Sequence, residues 1–168
     1  MMIHFYSSVP RLLKILYAIQ TIPMPKASSQ TTPQANRQSF EAGTILLVED
    51  HQGYREVMKA ALGSYLPGFQ VVEAESVETA LAALSERVFE VMVTDMTLSD
   101  GSAIELLDGA GSSIAAGMKV ITISGHDNRE MLPVLNRADV HGYVSKESGL
   151  RALAQSVRSV VEEGRASR

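Results

Sequence analysis

The most constraining feature of the chain is a regular alternation of two patterns between Thr44 and Glu163. Short apolar runs rich in β-branched residues alternate with longer segments whose apolar residues recur at helical spacing. The apolar runs are Ile45–Val48, Val71–Val72, Val91–Thr94, Val120–Ile123 and Tyr143–Val144. The helical segments are Tyr54–Tyr65, Val77–Glu86, Ala103–Leu107, Arg129–Ala138 and Leu150–Glu162. Strands that alternate with helices predict βαβ units, and therefore a parallel sheet covered by helices on both faces.

Several residues mark the ends of the predicted helices. Ser76 and Ser148 stand where a side chain is expected to cap a helix N-terminus. Gly164 follows the last helical segment and predicts its end. Pro133 lies inside the fourth segment, where it removes a backbone hydrogen bond. That helix is therefore predicted to be kinked, to be short, or to begin near Pro133.

Residues 1–43 differ in composition and residue pattern from the rest of the chain. Val9–Ile22 has apolar residues at helical spacing, and a polar stretch with proline and serine follows it. We expect a largely disordered extension with a short amphipathic helix, then a folded domain over 44–163 and a tail over 164–168. An unstructured extension is favoured over an amphipathic anchor or a signal peptide, and a true start at Met24 is left open.

Composition limits the classes of function. The 168 residues are 45% hydrophobic and 20% charged, which is enough to bury a core without disulfides. The absence of cysteine excludes a disulfide scaffold and a thiolate zinc site. A net charge of −4 argues against direct nucleic-acid binding, which normally uses a basic surface. No stretch reaches the roughly 18 apolar residues that a membrane-spanning helix needs.

Polar side chains stand at the carboxyl ends of four predicted strands. They are Glu49 and Asp50 after the first strand, Asp95 after the third, Ser124 after the fourth and Lys146 after the fifth. In an open parallel sheet these ends meet at one edge, where ligands bind at the switch point of strand order. Each residue alone is more often a cap, a turn or a solvated side chain, and Asp100–Gly101 predicts a turn.

The combination of these residue types indicates a specific chemistry. Three converging carboxylates repel one another and need a cation, and oxygen ligands suit a hard ion such as Mg²⁺. An ammonium and a hydroxyl can bind phosphoryl oxygens. Asp95, on the central strand, is then placed to act as a nucleophile that forms an aspartyl-phosphate. The metal and Lys146 would neutralise charge on the transferred group.

These residues resemble the receiver domain of bacterial two-component response regulators, over about Thr44 to Glu163. The motifs that carry the resemblance are LLVEDH, VTDMTLSDGSAIELL, VITISGH and GYVSK. Asp95 lies 45 residues after Asp50, Ser124 lies 29 after Asp95, and Lys146 lies 22 after Ser124, separations that suit this family. The segments VEDH, GYVSKES and LRALAQSVRSVVEEGR are most similar to receivers of the NarL/FixJ type.

The resemblance implies a doubly wound, flavodoxin-like (βα)₅ fold with five parallel strands in the order 2-1-3-4-5. It implies a cytoplasmic protein in which Asp95 accepts a phosphoryl group from a sensor histidine kinase or a phosphotransfer protein. The implied Mg²⁺ ligands are Glu49, Asp50, Asp95 and the backbone carbonyl of Thr97. Ser124 and Lys146 are implied to contact the phosphoryl group, and Tyr143 to be the aromatic switch residue that turns inward with Ser124.

The function predicted from these features is a signalling switch rather than an enzyme. Phosphorylation of Asp95 would shift a two-state equilibrium and change a surface that binds an output protein. The output protein is unknown, and homodimer formation is left open. A magnesium-dependent phosphatase is disfavoured, because Thr97 stands where such enzymes place a second aspartate as general acid. Two alternatives are a NarL/FixJ-type transcription regulator that has lost its helix-turn-helix domain, and an interaction module that acts without phosphorylation.

Overall fold

A computed structural model of the chain describes residues 43–125 and 137–167. Five strands form one sheet: β1 (Thr44–Val48), β2 (Gln70–Ala74), β3 (Val91–Asp95), β4 (Lys119–Ser124) and β5 (Gly142–Ser145). They are parallel and lie in the order β2-β1-β3-β4-β5, which confirms the predicted fold and strand order. From β1 the chain adds β2 on one side and then β3, β4 and β5 on the other. The switch point of strand order therefore lies between β1 and β3, at their carboxyl ends.

Helices connect the strands within the described residues. They are α1 (Gln52–Tyr65), α2 (Val77–Glu86), α3 (Ala103–Gly109), α4 (Gly111–Ala115) and α5 (Gly149–Ala166). A two-stranded hairpin pairs Thr97–Leu98 with Gly101–Ser102, and a 3₁₀ turn covers Lys146–Ser148. The helix predicted over Arg129–Ala138, with Pro133, lies almost entirely outside the described residues. None of the helices described is long and apolar enough to cross a membrane.

Alternate residues of the strands face two separate apolar cores. Ile45 and Leu47 pack with α1 and α5 on one face of the sheet, whereas Leu46 and Val48 pack with α2 and α3 on the other. All four side chains are fully buried, as expected for a central parallel strand covered on both faces. This alternation decides which face of the sheet each residue at a strand end extends from.

The helix ends confirm one capping prediction and correct two others. The Ser76 hydroxyl accepts a hydrogen bond from the Thr79 backbone N–H at 3.1 Å, within a capping box. Ser148 precedes α5 but its side chain makes no capping hydrogen bond, because it ends a 3₁₀ turn with helical backbone angles (φ −69°, ψ −14°) instead of the extended conformation of an N-cap. Gly164 does not end α5, which runs to Ala166.

An ion pair explains why the last helix continues past its glycine. The Arg165 guanidinium contacts both carboxylate oxygens of Glu90 at 3.0 Å and lies 5.9 Å from the centre of the Phe69 ring. Both partners are about three-quarters buried. This bidentate contact fixes the last turn of α5 against the amino end of the sheet and offsets the helix-breaking tendency of Gly164.

Candidate functional site

Three carboxylates converge at the carboxyl edge of β1 and β3. One oxygen atom from each of Glu49, Asp50 and Asp95 lies within 4.8 Å of the others. Glu49 is buried, Asp95 is partly buried and Asp50 is exposed, so the cluster opens to solvent on one side. Carboxylate oxygens at this separation can share one hard divalent cation. The structure therefore brings together the three side chains that the sequence predicts as metal ligands.

Lys146 joins this cluster from the end of β5. Its Nζ donates a hydrogen bond to Glu49 Oε2 at 2.7 Å and a second to Asp95 Oδ2. The Glu49 side chain is only 1% exposed, and the Lys146 side chain is 22% exposed. The ammonium therefore neutralises two carboxylates that would otherwise repel each other in a poorly solvated place.

Burial and hydrogen bonding change the acid strength of this pair. Burial raises the pKa of the Glu49 carboxyl, although the hydrogen bond and charge of Lys146 act in the opposite direction. Burial also opposes the charge on Lys146, but its hydrogen bonds to Asp95 and Glu49 more than offset this and raise its pKa. The ammonium of Lys146 thus favours the ionised form of Glu49 against the cost of burial.

An arginine supports the loop that carries the acidic pair, a role that sequence reasoning missed. Arg55 Nη1 donates hydrogen bonds to the backbone carbonyls of Glu49 at 2.6 Å and Asp50 at 3.5 Å. The same guanidinium lies 3.7 Å from Glu73 and 3.6 Å from Glu75, and its side chain is 12% exposed. A planar group with several donors suits this task. An arginine early in a helix is usually solvated, so its spacing alone carries no signal.

The hairpin after Asp95 is fastened to a neighbouring helix. The Asp100 carboxylate accepts hydrogen bonds from the backbone N–H groups of Val77 at 2.8 Å and Glu78 at 3.1 Å. These two bonds lower the pKa of Asp100. Asp100 thus occupies the predicted turn and also caps the N-terminus of α2. The hairpin carries Thr97, whose carbonyl remains a predicted metal ligand.

Replacing Asp100 with alanine is expected to lower the melting temperature, because two backbone donors of α2 lose their partner. Thermal unfolding followed by circular dichroism measures the shift. Ser99→Ala is the matched control, since Ser99 is exposed beside Asp100. Equal melting temperatures for the two variants would show that this cap contributes nothing.

Ser124 and Tyr143 lie on the two strands beyond Asp95. Ser124 ends β4 and is 5% exposed, and its register partner on β5 is Ser145. Tyr143 is half-buried, and Val144 beside it packs into the core formed with α1 and α5. By strand alternation, Tyr143 therefore extends from the opposite face of the sheet to Val144. The phosphoryl-contacting and switch roles of Ser124 and Tyr143 stay predictions.

Comparison with known proteins agrees with this geometry. The family model described as "Response regulator receiver domain" matches residues 45–158. The transcriptional regulatory protein UhpA of Salmonella typhimurium is 33% identical over 122 residues, which cover 72% of this chain and 60% of UhpA. The chemotaxis protein CheY of Pseudomonas aeruginosa is 27% identical over 120 residues, covering 70% of this chain and 95% of CheY.

A solved structure gives the same fold. The CheY-like receiver domain protein from Methanospirillum hungatei JF-1 superposes with a TM-score of 0.68 at 25% identity, over 76% of this chain and 100% of that one. The chain spans less than two-thirds of the length of UhpA, of which it covers 60%. The match of the family model over most of the chain, on the strands that carry the acidic cluster and Lys146, is decisive. The chain belongs to the response regulator receiver domain family.

Proposed function

We propose that this chain is a phosphoacceptor in a two-component phosphorelay, with Asp95 as the accepting residue. The observation that carries the proposal is the cluster of Glu49, Asp50 and Asp95 with the Lys146 ammonium bonded to two of them. A carboxylate flanked by a cation and a candidate metal site is suited to attack phosphorus. The donor is a phosphohistidine on a sensor histidine kinase or a phosphotransfer protein.

The proposed step transfers one phosphoryl group. A carboxylate oxygen of Asp95 forms a bond to phosphorus, the bond from phosphorus to the histidine nitrogen breaks, and that nitrogen keeps the electron pair. Lys146 is placed to neutralise charge on the phosphoryl oxygens once it releases one carboxylate. Ser124 would donate its hydroxyl to the same group. The chain accepts the group on its own side chain, so we do not propose turnover of phosphate esters.

The residues present fit a magnesium ion. Glu49, Asp50 and Asp95 would hold Mg²⁺ together with the carbonyl of Thr97, since oxygen ligands and open positions for water suit this ion. When bound, Mg²⁺ would withdraw charge from the phosphoryl oxygens. The chain's own contribution is to keep the carboxylates converged, through Arg55 and the burial of Glu49.

The proposed output is a change in a protein-binding surface in the cytoplasm. Tyr143 is the proposed switch residue, and the partner that reads the change is a further protein. A role in transcription is a second candidate, because UhpA, KdpE and DegU are all named transcriptional regulatory proteins. The virulence sensor protein BvgS of Bordetella parapertussis is 35% identical over 96 residues, so a similar segment occurs within a sensor protein.

Intact mass after incubation with Mg²⁺ and acetyl phosphate tests the proposal. We expect one phosphoryl adduct in the wild-type chain. We expect none when EDTA is added before acetyl phosphate, and none in Asp95→Asn. Pseudomonas CheY labelled in parallel serves as the positive control. No adduct while CheY is labelled would overturn the proposal and favour an interaction module that acts without phosphorylation. An adduct that persists in Asp95→Asn would show that another residue accepts the group.

A further inference from the structure

The Lys146 ammonium has a third neighbour that the proposed chemistry does not use. The Tyr54 ring lies under it, with Nζ 4.6 Å from the ring centre. Tyr54 is in the first turn of α1 and packs against the core between the sheet, α1 and α5. Leu47 and Val93 face this core, so strand alternation puts Glu49 and Asp95, each two residues further on, on the same side of the sheet as the ring.

The three neighbours together hold the ammonium. Glu49 and Asp95 accept its hydrogen bonds, and the negative face of the Tyr54 ring attracts the charge from another side. A lysine side chain is a flexible four-carbon stem with a point charge, so its head has no fixed place without such contacts. A cation over an aromatic face is attracted more strongly when water is partly excluded, and here Tyr54 is half-buried and the Lys146 side chain is 22% exposed.

We propose that Tyr54 is a positioning residue that fixes the Lys146 ammonium beside Asp95. The inference rests on the proposed function for its consequence, the rate at which Asp95 accepts a phosphoryl group. Lys146 has to exchange a carboxylate oxygen for a phosphoryl oxygen during the reaction. The ring contact needs no exchange, so the ring keeps the ammonium in place while its hydrogen-bond partners change.

The ring, and not the phenol hydroxyl, carries this role. No hydrogen bond among the described residues involves the Tyr54 hydroxyl. Burial raises the pKa of the phenol, with the charges of Glu49 and Asp95 adding to the effect and Lys146 opposing it, so the ring is neutral at physiological pH. Tyr54→Phe should therefore keep the contact with Lys146. Tyr54→Leu retains apolar packing but loses the aromatic face, and with it the contact.

Proton NMR of the unphosphorylated chain tests the contact directly. The ring current of Tyr54 is expected to shift the side-chain signals of Lys146 upfield, and Lys146→Met identifies those signals by their loss. The shift should persist in Tyr54→Phe and disappear in Tyr54→Leu. Tyr65→Leu is the matched control, because Tyr65 is a half-buried tyrosine on the same helix, near Arg151 rather than Lys146.

The initial rate of labelling by acetyl phosphate and Mg²⁺ tests the consequence. We expect Tyr54→Leu to be labelled about fivefold more slowly, while Tyr54→Phe and Tyr65→Leu stay within about twofold of wild type. If Tyr54→Leu leaves the Lys146 chemical shifts or the labelling rate unchanged, the proposal is wrong. It is also wrong if Tyr54→Phe or Tyr65→Leu is labelled as slowly as Tyr54→Leu. If the wild-type chain takes no label, the proposed function fails, and the NMR comparison still decides whether Tyr54 positions Lys146.

Discussion

Replacing Lys146 with methionine is expected to lower the free energy of unfolding in EDTA by about 2 kcal/mol. The variant leaves Glu49, which is 1% exposed, and the partly buried Asp95 without their shared cation. Loss of one partner from a fully buried pair costs more, and the 22% exposure of the Lys146 side chain reduces the expected figure. Urea unfolding followed by circular dichroism measures the difference.

Lys59→Met is the matched control for this variant. Lys59 also forms an ion pair, with Glu73, but its side chain is 50% exposed. An exposed pair contributes less than about 1 kcal/mol, so this control should remain close to wild type. Equal losses in Lys146→Met and Lys59→Met would contradict the view that Lys146 neutralises a buried acidic cluster.

Two conditions sharpen the Lys146 prediction. Mg²⁺ should stabilise Lys146→Met more than the wild-type chain, because the ion replaces the missing positive charge. The pKa of Lys146 is raised above the ordinary value of 10.5. The contribution of its charge is therefore fully present below that pH and is lost as the pH rises through the folded-state pKa. The stability difference between wild type and variant should shrink accordingly in strong alkali.

Replacing Asp50 with asparagine is expected to weaken Mg²⁺ binding at least about tenfold, or 1.4 kcal/mol. Asp50 supplies one of the three clustered carboxylates and is the exposed one, so its loss removes a charged ligand without opening the core. Titration calorimetry with Mg²⁺ gives the dissociation constant. The thermal shift produced by a fixed Mg²⁺ concentration provides a second measure of the same affinity.

Glu56→Gln is the control for the Asp50 variant. Glu56 is an exposed carboxylate on α1 whose side chain bonds to Gln52 rather than to the acidic cluster. Its removal changes the net charge equally but should leave the Mg²⁺ dissociation constant within about twofold, because exposed charges at a distance are screened. Similar affinities for Asp50→Asn and wild type would remove Asp50 from the metal site.

The central strands were predictable because burial on both faces leaves a continuous apolar run. The strand β2 spans Gln70–Ala74, longer than the predicted Val71–Val72. The prediction was too short because this edge strand carries polar Gln70 and Glu73 beside its apolar residues. α1 begins at Gln52, two residues before the predicted start, because the His51 imidazole accepts a hydrogen bond from the Tyr54 N–H at 3.2 Å. Histidine is not among the residues usually expected at an N-cap.

The candidate site was predictable as far as it follows strand ends. Glu49, Asp95 and Lys146 each come directly after or at the end of a strand, and parallel topology alone brings them to one edge. Tyr54 and Arg55 come from a helix, where an aromatic residue and an arginine have many ordinary roles. Only the packing of α1 on the sheet shows that one lies under Lys146 and the other holds the acidic loop.

The short α4 was also missed. This helix, Gly111–Ala115, contains a glycine and two serines, and none of its residues is fully buried. Its sequence therefore has no apolar periodicity that would predict a helix. It follows α3 directly after Ala110, and its Ile114 packs against the core that α2 and α3 cover.

The most direct test of the central claim is to locate the phosphoryl group on the labelled chain. Borohydride reduces an aspartyl-phosphate to homoserine, and tandem mass spectrometry of the peptides then identifies the converted residue. We expect conversion at Asp95 alone, dependent on Mg²⁺ during labelling. Conversion at Asp50 or Asp100, or an adduct that yields no homoserine, would contradict the assignment of Asp95 as the phosphoacceptor.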